Sequence, residues 1–301
     1  MVQTPGRGLA SADLAVLADR VLASWDEFLR IADQVDLRAP SRLPGWTGRE
    51  VLLHLGTWDD RAPLRDAVES TTDLAAAAAF DPDDANAAVI AAHADATDDE
   101  VRDALRRSRE EVATFLRRTM RRRATVMAMS TLGPLPLAGL VNAGCYELAV
   151  HALDLQPCGA PDPDPALLDA GLSALIDVTG ALAARHAIHV PVAAQTPDGG
   201  WRTVVDGDTW TTEPTQPGPV EGPAIVGGAQ DILDASAGRI GVPGLLLQRR
   251  IVVQDLTQFL RLAPLVEEVP GIPGAPLLRR AASAVSGVTG AVGRVGRLFS
   301  R

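Results

Sequence analysis

The chain contains no lysine, and all 28 of its basic residues are arginines. Without a lysine amine it cannot form a Schiff base with a carbonyl substrate, and it cannot build the lysine-containing phosphate loop of Walker type. Composition alone therefore excludes two common classes of mechanism.

Cysteine and aromatic residues are also scarce. The two cysteines, Cys145 and Cys158, do not form a CxxC pair and cannot make a disulfide framework. Aromatic residues make up 4% of the chain and hydrophobic residues 47%, so Ala, Leu and Val must build most of the core. This composition suits closely packed helices, and 301 residues are enough for two domains.

Features of exported, membrane-spanning and nucleic-acid-binding proteins are missing as well. The first residues lack the long apolar stretch of a signal peptide, and no apolar run is long enough to span a bilayer. The net charge of −10 opposes binding to a phosphate backbone. We therefore expect a cytoplasmic protein that binds no nucleic acid.

Helical patterns fill the first 188 residues. Apolar residues recur at helical spacing, and two Thr-x-x-Glu capping boxes, at Thr47 and Thr97, mark helix starts. Asp164 and Pro165 are typical of an N-cap followed by a first-turn proline. The predicted helices cover residues 9–35, 48 to about 62, 100–120, 137–156 and 165 to about 187.

Strand patterns begin after His189. Residues 189–214 alternate apolar and polar side chains with Asp-Gly turns, and residues 224–240 and 252–266 each read as a strand followed by a helix. The expected fold class is a mixed α plus α/β protein. It comprises a helical bundle over 1–188, a small α+β domain over 189–270 and a basic Gly/Ala/Arg tail over 271–301.

Three residues within the helical part could hold one metal ion. Glu147 and His151 are four residues apart and so share one helix face, while His54 lies among apolar residues of another helix. Helical bundles build metal sites from inward-facing carboxylate and imidazole groups on separate helices. Three such ligands with an open fourth position suit a divalent ion, most typically zinc, although nickel, iron or manganese would fit as well. Asp154 could orient the imidazole of His151.

The residues around these ligands resemble a known family. The stretch LPGWTGREVLLHL, residues 43–55, is similar to the PGWT-x-R-[DE]-V-x-x-HL signature of the mycothiol-dependent maleylpyruvate isomerase family, and ELAVHALDL, residues 147–155, to its second metal motif. The resemblance implies a DinB-like four-helix bundle followed by a domain similar to sterol-carrier proteins. It also implies that His54, Glu147 and His151 are the metal ligands.

The resemblance further implies that the second domain contributes an arginine to the site. Arg239 is the best positional candidate for this catalytic role, and Arg202 is an alternative. The implied reaction uses mycothiol as a thiol cosubstrate: the metal lowers the thiol pKa below its ordinary value of about 8.5, and the thiolate attacks a small electrophile. The outcome is S-transfer or isomerisation.

Cysteine side chains are not expected to act as the nucleophile. Cys145 lies two residues before Glu147, so on a helix it points roughly 200° away from that ligand. A small buried core residue is the simpler interpretation of Cys145, and Cys158 in its loop is incidental.

Two other functions fit the same residues. A metal-dependent hydrolase would bind water in the open position. A non-enzymatic protein could bind a small molecule or lipid in the C-terminal domain. The tail, with five arginines and near-helical apolar spacing, could lie on an anionic membrane. Its glycines weaken such a helix by roughly 1 kcal/mol each, so we favour a flexible or partner-packed extension.

Overall fold

The structure is a computed structural model that describes residues 6–60, 62–74 and 82–267. The predicted tail at 271–301, with its possible membrane contact, lies outside these residues. The helices are α1 (Leu14–Ala32), α2 (Gly48–Leu55), α3 (Pro63–Ser70), α4 (Pro82–Ala92), α5 (Asp98–Arg118), α6 (Met120–Arg123), α7 (Leu137–Asp154), α8 (Pro165–Arg185), α9 (Ala229–Ser236), α10 (Val242–Leu247) and α11 (Leu256–Phe259). The strands are β1 (Met127–Ser130), β2 (Gly133–Pro136), β3 (Val192–Thr196), β4 (Gly199–Asp206), β5 (Thr209–Thr215), β6 (Ala224–Gly227) and β7 (Ile251–Gln254). Short 3₁₀ helices cover Gln156–Cys158 and Leu260–Glu267.

The expected fold class is confirmed: a helical N-terminal region precedes a sheet. Helix α1 packs against α5, α7 and α8. The five-stranded sheet has the order β5-β4-β3-β6-β7, in which β3 and β6 are parallel and the other neighbours antiparallel. One hydrophobic core joins helical residues to Trp201 and Ile251 of the sheet, so the division into domains near residue 188 stays a prediction.

The first helix begins later than its sequence pattern indicates. The carboxylate of Asp13 accepts hydrogen bonds from the amides of Ala15 and Val16, and this cap starts α1 at Leu14. The preceding residues pair instead with β5, where the Gly8 amide donates to the Trp210 carbonyl at 2.9 Å. The prediction of helix from residue 9 was therefore wrong, because the Leu9 amide donates to Asp177 on α8 and the amides of residues 10–12 are used in turns.

Helix α2 begins at the predicted capping box but ends at Leu55, well before Pro63. Gly56 adopts an extended conformation, and the indole of Trp58 donates to the Leu53 carbonyl at 3.1 Å. A Cβ at position 56 would lie 2.8 Å from the Cβ of Ala104, so the glycine permits close approach to α5. Pro63 is the first residue of α3 rather than the end of α2.

A small antiparallel hairpin, β1–β2, precedes α7 and was not predicted. Residues 127–136 contain two prolines, Pro134 and Pro136, which argue against a strand in the middle of a sheet. A two-stranded ribbon tolerates them because each of its strands is an edge strand.

Helix α8 is apolar on nearly all sides because it packs against α7 on one side and against β4 and β5 on another. Two glycines allow this double contact. A Cβ at Gly171 would lie 2.7 Å from Ala149 of α7, and one at Gly180 would lie 2.7 Å from the Trp210 ring. Of the described helices, α8 alone is long and apolar enough to cross a membrane, and 67% of its apolar window is buried in the fold. Burial in the core accounts for its composition.

The carboxylate of Asp177 ties three segments together on α8. Its Oδ1 accepts hydrogen bonds from the Leu9 amide at 3.0 Å, the Trp210 indole at 3.0 Å and the Thr212 hydroxyl at 2.7 Å. Burial raises the pKa of Asp177 above its ordinary value, although these three hydrogen bonds oppose the shift. The N-terminal segment, α8 and β5 therefore depend on one buried acceptor.

We predict that Asp177→Ala lowers the free energy of unfolding by about 3 kcal/mol, because each buried donor left unsatisfied costs roughly 1–3 kcal/mol. Urea unfolding followed by circular dichroism measures the change. The exposed Asp19 of α1 offers the matched control, and Asp19→Ala should change stability by less than about 0.5 kcal/mol. Equal stability of the two variants would contradict the structural role of Asp177.

Candidate functional site

Helices α2 and α7 bring the three predicted metal ligands together. His54 lies in the last turn of α2, while Glu147 and His151 share one face of α7. One ligand atom from each of the three residues can be chosen so that all lie within 4.8 Å of one another. The chain thus assembles two imidazoles and one carboxylate at a single point, and their role as ligands stays a prediction.

The imidazole of His54 is held in one orientation. Its Nδ1 lies 2.8 Å from the Val51 carbonyl. A carbonyl oxygen can only accept, so Nδ1 donates its proton here, and in the neutral ring the lone pair is on Nε2. The ring meets His151 edge to face at a centroid distance of 4.6 Å and Trp46 at 5.3 Å. Trp46 therefore contacts a candidate ligand.

His151 lies between two carboxylates of its own helix. Its Nε2 is 3.4 Å from Glu147 Oε2, and its Nδ1 is 3.0 Å from Asp154 Oδ2, the contact expected for an orienting partner. Burial disfavours the protonated imidazole, but hydrogen bonds to Asp154 and Glu147 outweigh it and raise the His151 pKa to about 9. The surroundings of His151 therefore favour a positive charge at this point.

Arg239, in the C-terminal part of the chain, forms a bidentate ion pair with Asp154. Its Nε and Nη2 donate to the two carboxylate oxygens at 2.9 Å each, and its Nη1 donates to the Ala237 carbonyl at 3.0 Å. Burial would raise the Asp154 pKa, but the hydrogen bonds from His151 and Arg239 keep it below its ordinary value. Arg239 also lines the cavity beside the three candidate ligands, whereas the alternative candidate, Arg202 on β4, does not.

A second ion pair, which no sequence pattern predicted, continues this network. Arg42 Nη2 donates to Asp234 Oδ1 at 2.7 Å, and the Arg42 amide donates to the Asp154 carbonyl at 3.0 Å. The Asp234 carbonyl in turn accepts from the Arg239 amide at 2.8 Å. These hydrogen bonds connect the loop before α2, the end of α7 and the turn after α9 next to the site.

The candidate ligands stand at one end of a cavity of about 680 Å³. Helices α2, α7 and α8, the hairpin, β3, β6, α9 and the C-terminal 3₁₀ segment contribute to its walls. Its volume is in the range of small-molecule sites. Tyr146, the only tyrosine of the chain and the neighbour of Glu147, also lines it, and its hydroxyl lies 3.1 Å from the Ser236 hydroxyl.

Neither cysteine takes part in this site. Cys145 is 1% exposed, and burial raises its thiol pKa to about 11, so it is a poor nucleophile, as expected. Cys158 is also buried, and its thiol donates to the Ala39 carbonyl at 3.3 Å. Any reactive thiol must therefore come from a cosubstrate.

The sequence of the helical part matches a known family. Residues 18–156, a little under half of the chain, match the family model of the mycothiol maleylpyruvate isomerase N-terminal domain. These residues are similar to that domain. They include His54, Glu147, His151 and Asp154, whereas Arg239 lies beyond the match. No protein with a curated description matches the chain significantly.

A solved structure resembles most of the fold. A crystal structure of a mutant of the mycothiol-dependent maleylpyruvate isomerase is 16% identical, covers 82% of this chain and 95% of its own, and has a TM-score of 0.51. Another crystal structure under that enzyme's name is 17% identical, covers 78% of this chain and 93% of its own, and has a TM-score of 0.48. At this identity, the first likeness supports the shared fold, from the bundle through the sheet.

We predict that Asp154 and Arg239 are energetically coupled. In a double-mutant cycle of Asp154→Ala and Arg239→Ala, unfolding free energies should give a coupling of about 2 kcal/mol, because truncating either partner leaves a charge poorly compensated. The half-exposed pair Asp33 and Arg106, 3.0 Å apart, is the matched control and should couple by less than about 1 kcal/mol. Equal coupling free energies in both cycles would show that the Asp154–Arg239 pair stabilises the fold no more than an exposed ion pair does.

Proposed function

We propose that this protein is a mycothiol-dependent, metal-dependent enzyme that acts on a small electrophile by isomerisation or S-transfer. The observation that carries the proposal is the convergence of His54, Glu147 and His151 at the end of a cavity, within a domain of the mycothiol maleylpyruvate isomerase N-terminal family. The thiol and the electrophile are its small-molecule partners, and a cytoplasmic location stays a prediction.

The donor set fits a divalent ion, with zinc as our first choice. Ligand atoms about 2.05 Å from a tetrahedral zinc ion lie roughly 3.3 Å from each other. The separation of His151 Nε2 and Glu147 Oε2 is 3.4 Å, close to that value. Asp154 on Nδ1 of His151 and the Val51 carbonyl on Nδ1 of His54 are the outer hydrogen bonds that usually orient ligating imidazoles. His54, Glu147 and His151 would hold the ion, which when bound supplies the positive charge that lowers a thiol pKa.

The isomerisation we propose is balanced without any oxidant or reductant. The thiolate sulfur of mycothiol forms a bond to one carbon of a cis double bond that is conjugated to a carbonyl, and the π pair moves to the carbonyl oxygen as an enolate. Rotation about the resulting single bond follows. The electron pair then returns, the carbon–sulfur bond breaks and the trans double bond is left. If the enolate instead takes a proton from solvent, the product is the S-adduct.

Arg239 is suited to stabilise the enolate oxygen. Its hydrogen bonds to Asp154 and Ala237 use three of the five guanidinium N–H groups, and two remain available on the side chain that lines the cavity. The bidentate bond to Asp154 fixes the guanidinium plane before substrate arrives, as electrostatic stabilisation requires. We therefore propose Arg239 as the catalytic cation of the C-terminal part.

One alternative draws support from a particular observation. The cavity is largely apolar, which favours a non-enzymatic small-molecule or lipid-binding protein. Nothing particular to this site favours the hydrolase over thiol chemistry. Metal content and thiol dependence separate the enzyme from the binder.

We predict about one divalent ion per purified chain by mass spectrometry, and its loss in His54→Ala and in Glu147→Gln. Isomerisation of maleylpyruvate or thiol conjugation should require mycothiol and should fall by a factor on the order of 100 or more in both variants. Asp154→Asn should weaken metal affinity by about 10–100-fold, because the Asp154 carboxylate orients the imidazole of His151.

The matched control is His189→Ala, because His189 is exposed and lies outside the cavity lining. This variant should keep both metal and activity. Full metal occupancy in His54→Ala, or no uptake of added zinc by the wild-type chain, would overturn the metal assignment.

A further inference from the structure

Among the described lining residues, the charged and imidazole side chains cluster at the candidate site: His54, Glu147, His151 and Arg239. Tyr146, next to Glu147 in the chain, adds a phenol there. The remaining wall carries the Asn86 amide and a few hydroxyl groups and is otherwise apolar. We call this remainder the apolar arm, and its principal residues are Leu175, Val178, Leu182, Ala194, Leu262 and Leu265.

The apolar arm runs along α8, away from the candidate ligands. Gly171 touches Ala149, which lies between Glu147 and His151, and so marks the level of the site on α8. Leu182 is eleven residues further along α8, a rise of about 16 Å at 1.5 Å per residue. Leu175, Val178 and Leu182 are spaced by three or four residues and line one face of that helix. The arm is therefore much longer than a compact electrophile requires.

The charge distribution also argues against a substrate with two carboxylates. Arg239 is the one arginine among the described lining residues, and three of its N–H groups are already used by Asp154 and Ala237. A second carboxylate lying in the apolar arm would meet no cation there and would lose its hydration. The cavity can thus hold one anionic oxygen at the site and an uncharged body beyond it.

We propose that the electrophile of this protein is an α,β-unsaturated carbonyl compound with a long apolar body, which lies in the arm while its reactive end meets the thiol beside His54, Glu147 and His151. The reaction in this inference rests on the proposed function, whereas the choice of an apolar substrate rests on the shape and lining of the cavity.

Unsaturated aldehydes of increasing length, from crotonaldehyde to trans-2-decenal, provide the test with mycothiol as cosubstrate. The thiolate sulfur bonds to the β-carbon, the π pair moves to the carbonyl oxygen, and solvent supplies the proton that ends on the α-carbon. We expect kcat/KM to rise with each added methylene by up to about fourfold, the gain from burying one methylene, until the arm is full. Maleylpyruvate, with two carboxylates, should be a poorer substrate than decenal.

Val178→Trp should block the arm, because Val178 is partly exposed towards the cavity and the larger ring can project into it. In this variant kcat/KM should no longer rise from crotonaldehyde to trans-2-decenal, and the ratio of the two values, which does not depend on the absolute rate, measures the block. Val204→Trp is the matched control, since Val204 is 41% exposed on β4 and is not a lining residue. It should keep the rise.

A binding measurement separates this inference from the proposed function. The neutral fluorescent probe N-phenyl-1-naphthylamine should bind the wild-type chain and His54→Ala alike, should be displaced by decanal, and should fail to bind Val178→Trp. Displaceable binding without thiol activity would support the apolar ligand and overturn the thiol chemistry. Thiol activity with no dependence on chain length, or a rise that survives Val178→Trp, would overturn the apolar substrate and leave the thiol chemistry standing.

Discussion

The need to bury both sides of α8 dominates this fold. A helix that is apolar nearly all round must be covered on every side, and here α7 covers one side while β4 and β5 cover another. Gly171 and Gly180 allow both layers to approach closely. The sheet is therefore held against the bundle through a shared helix, and the cavity occupies the part of the α8 surface that neither layer fills.

Within that frame, the Asp154 carboxylate joins the two parts of the site. One of its oxygens accepts from His151 of the same helix, and both accept from Arg239 of the C-terminal part. A fully buried carboxylate needs such partners, because desolvation strongly disfavours an unpaired charge. The same pairing fixes the imidazole plane and the guanidinium plane relative to each other. A group that orients one candidate ligand thus also positions the arginine that lines the cavity.

Local chemistry explains which parts of the fold could be predicted from the sequence. The capping boxes at Thr47 and Thr97 and the i,i+4 spacing of Glu147 and His151 involve neighbours along one helix, and the structure contains all of them. Contacts between distant segments leave no comparable local pattern. The pairing of residues 6–8 with β5 and the Arg42–Asp234 bond both connect positions about 200 residues apart. Arg239 was predicted through a family resemblance. Its hydrogen bonds to Asp154 join residues 85 positions apart, and only the folded structure shows them.

The candidate ligands and the apolar arm lie in different parts of the chain. His54, Glu147, His151 and Asp154 all lie within residues 18–156, the part that matches the known domain family. Val178 and Leu182 of the apolar arm, together with its walls from β3 and the C-terminal 3₁₀ segment, lie beyond residue 156. A fold can therefore keep one set of chemical groups while a separate segment reshapes the space next to them. We therefore expect substrate choice to depend on α8 and the residues after it, because the principal residues of the apolar arm lie there.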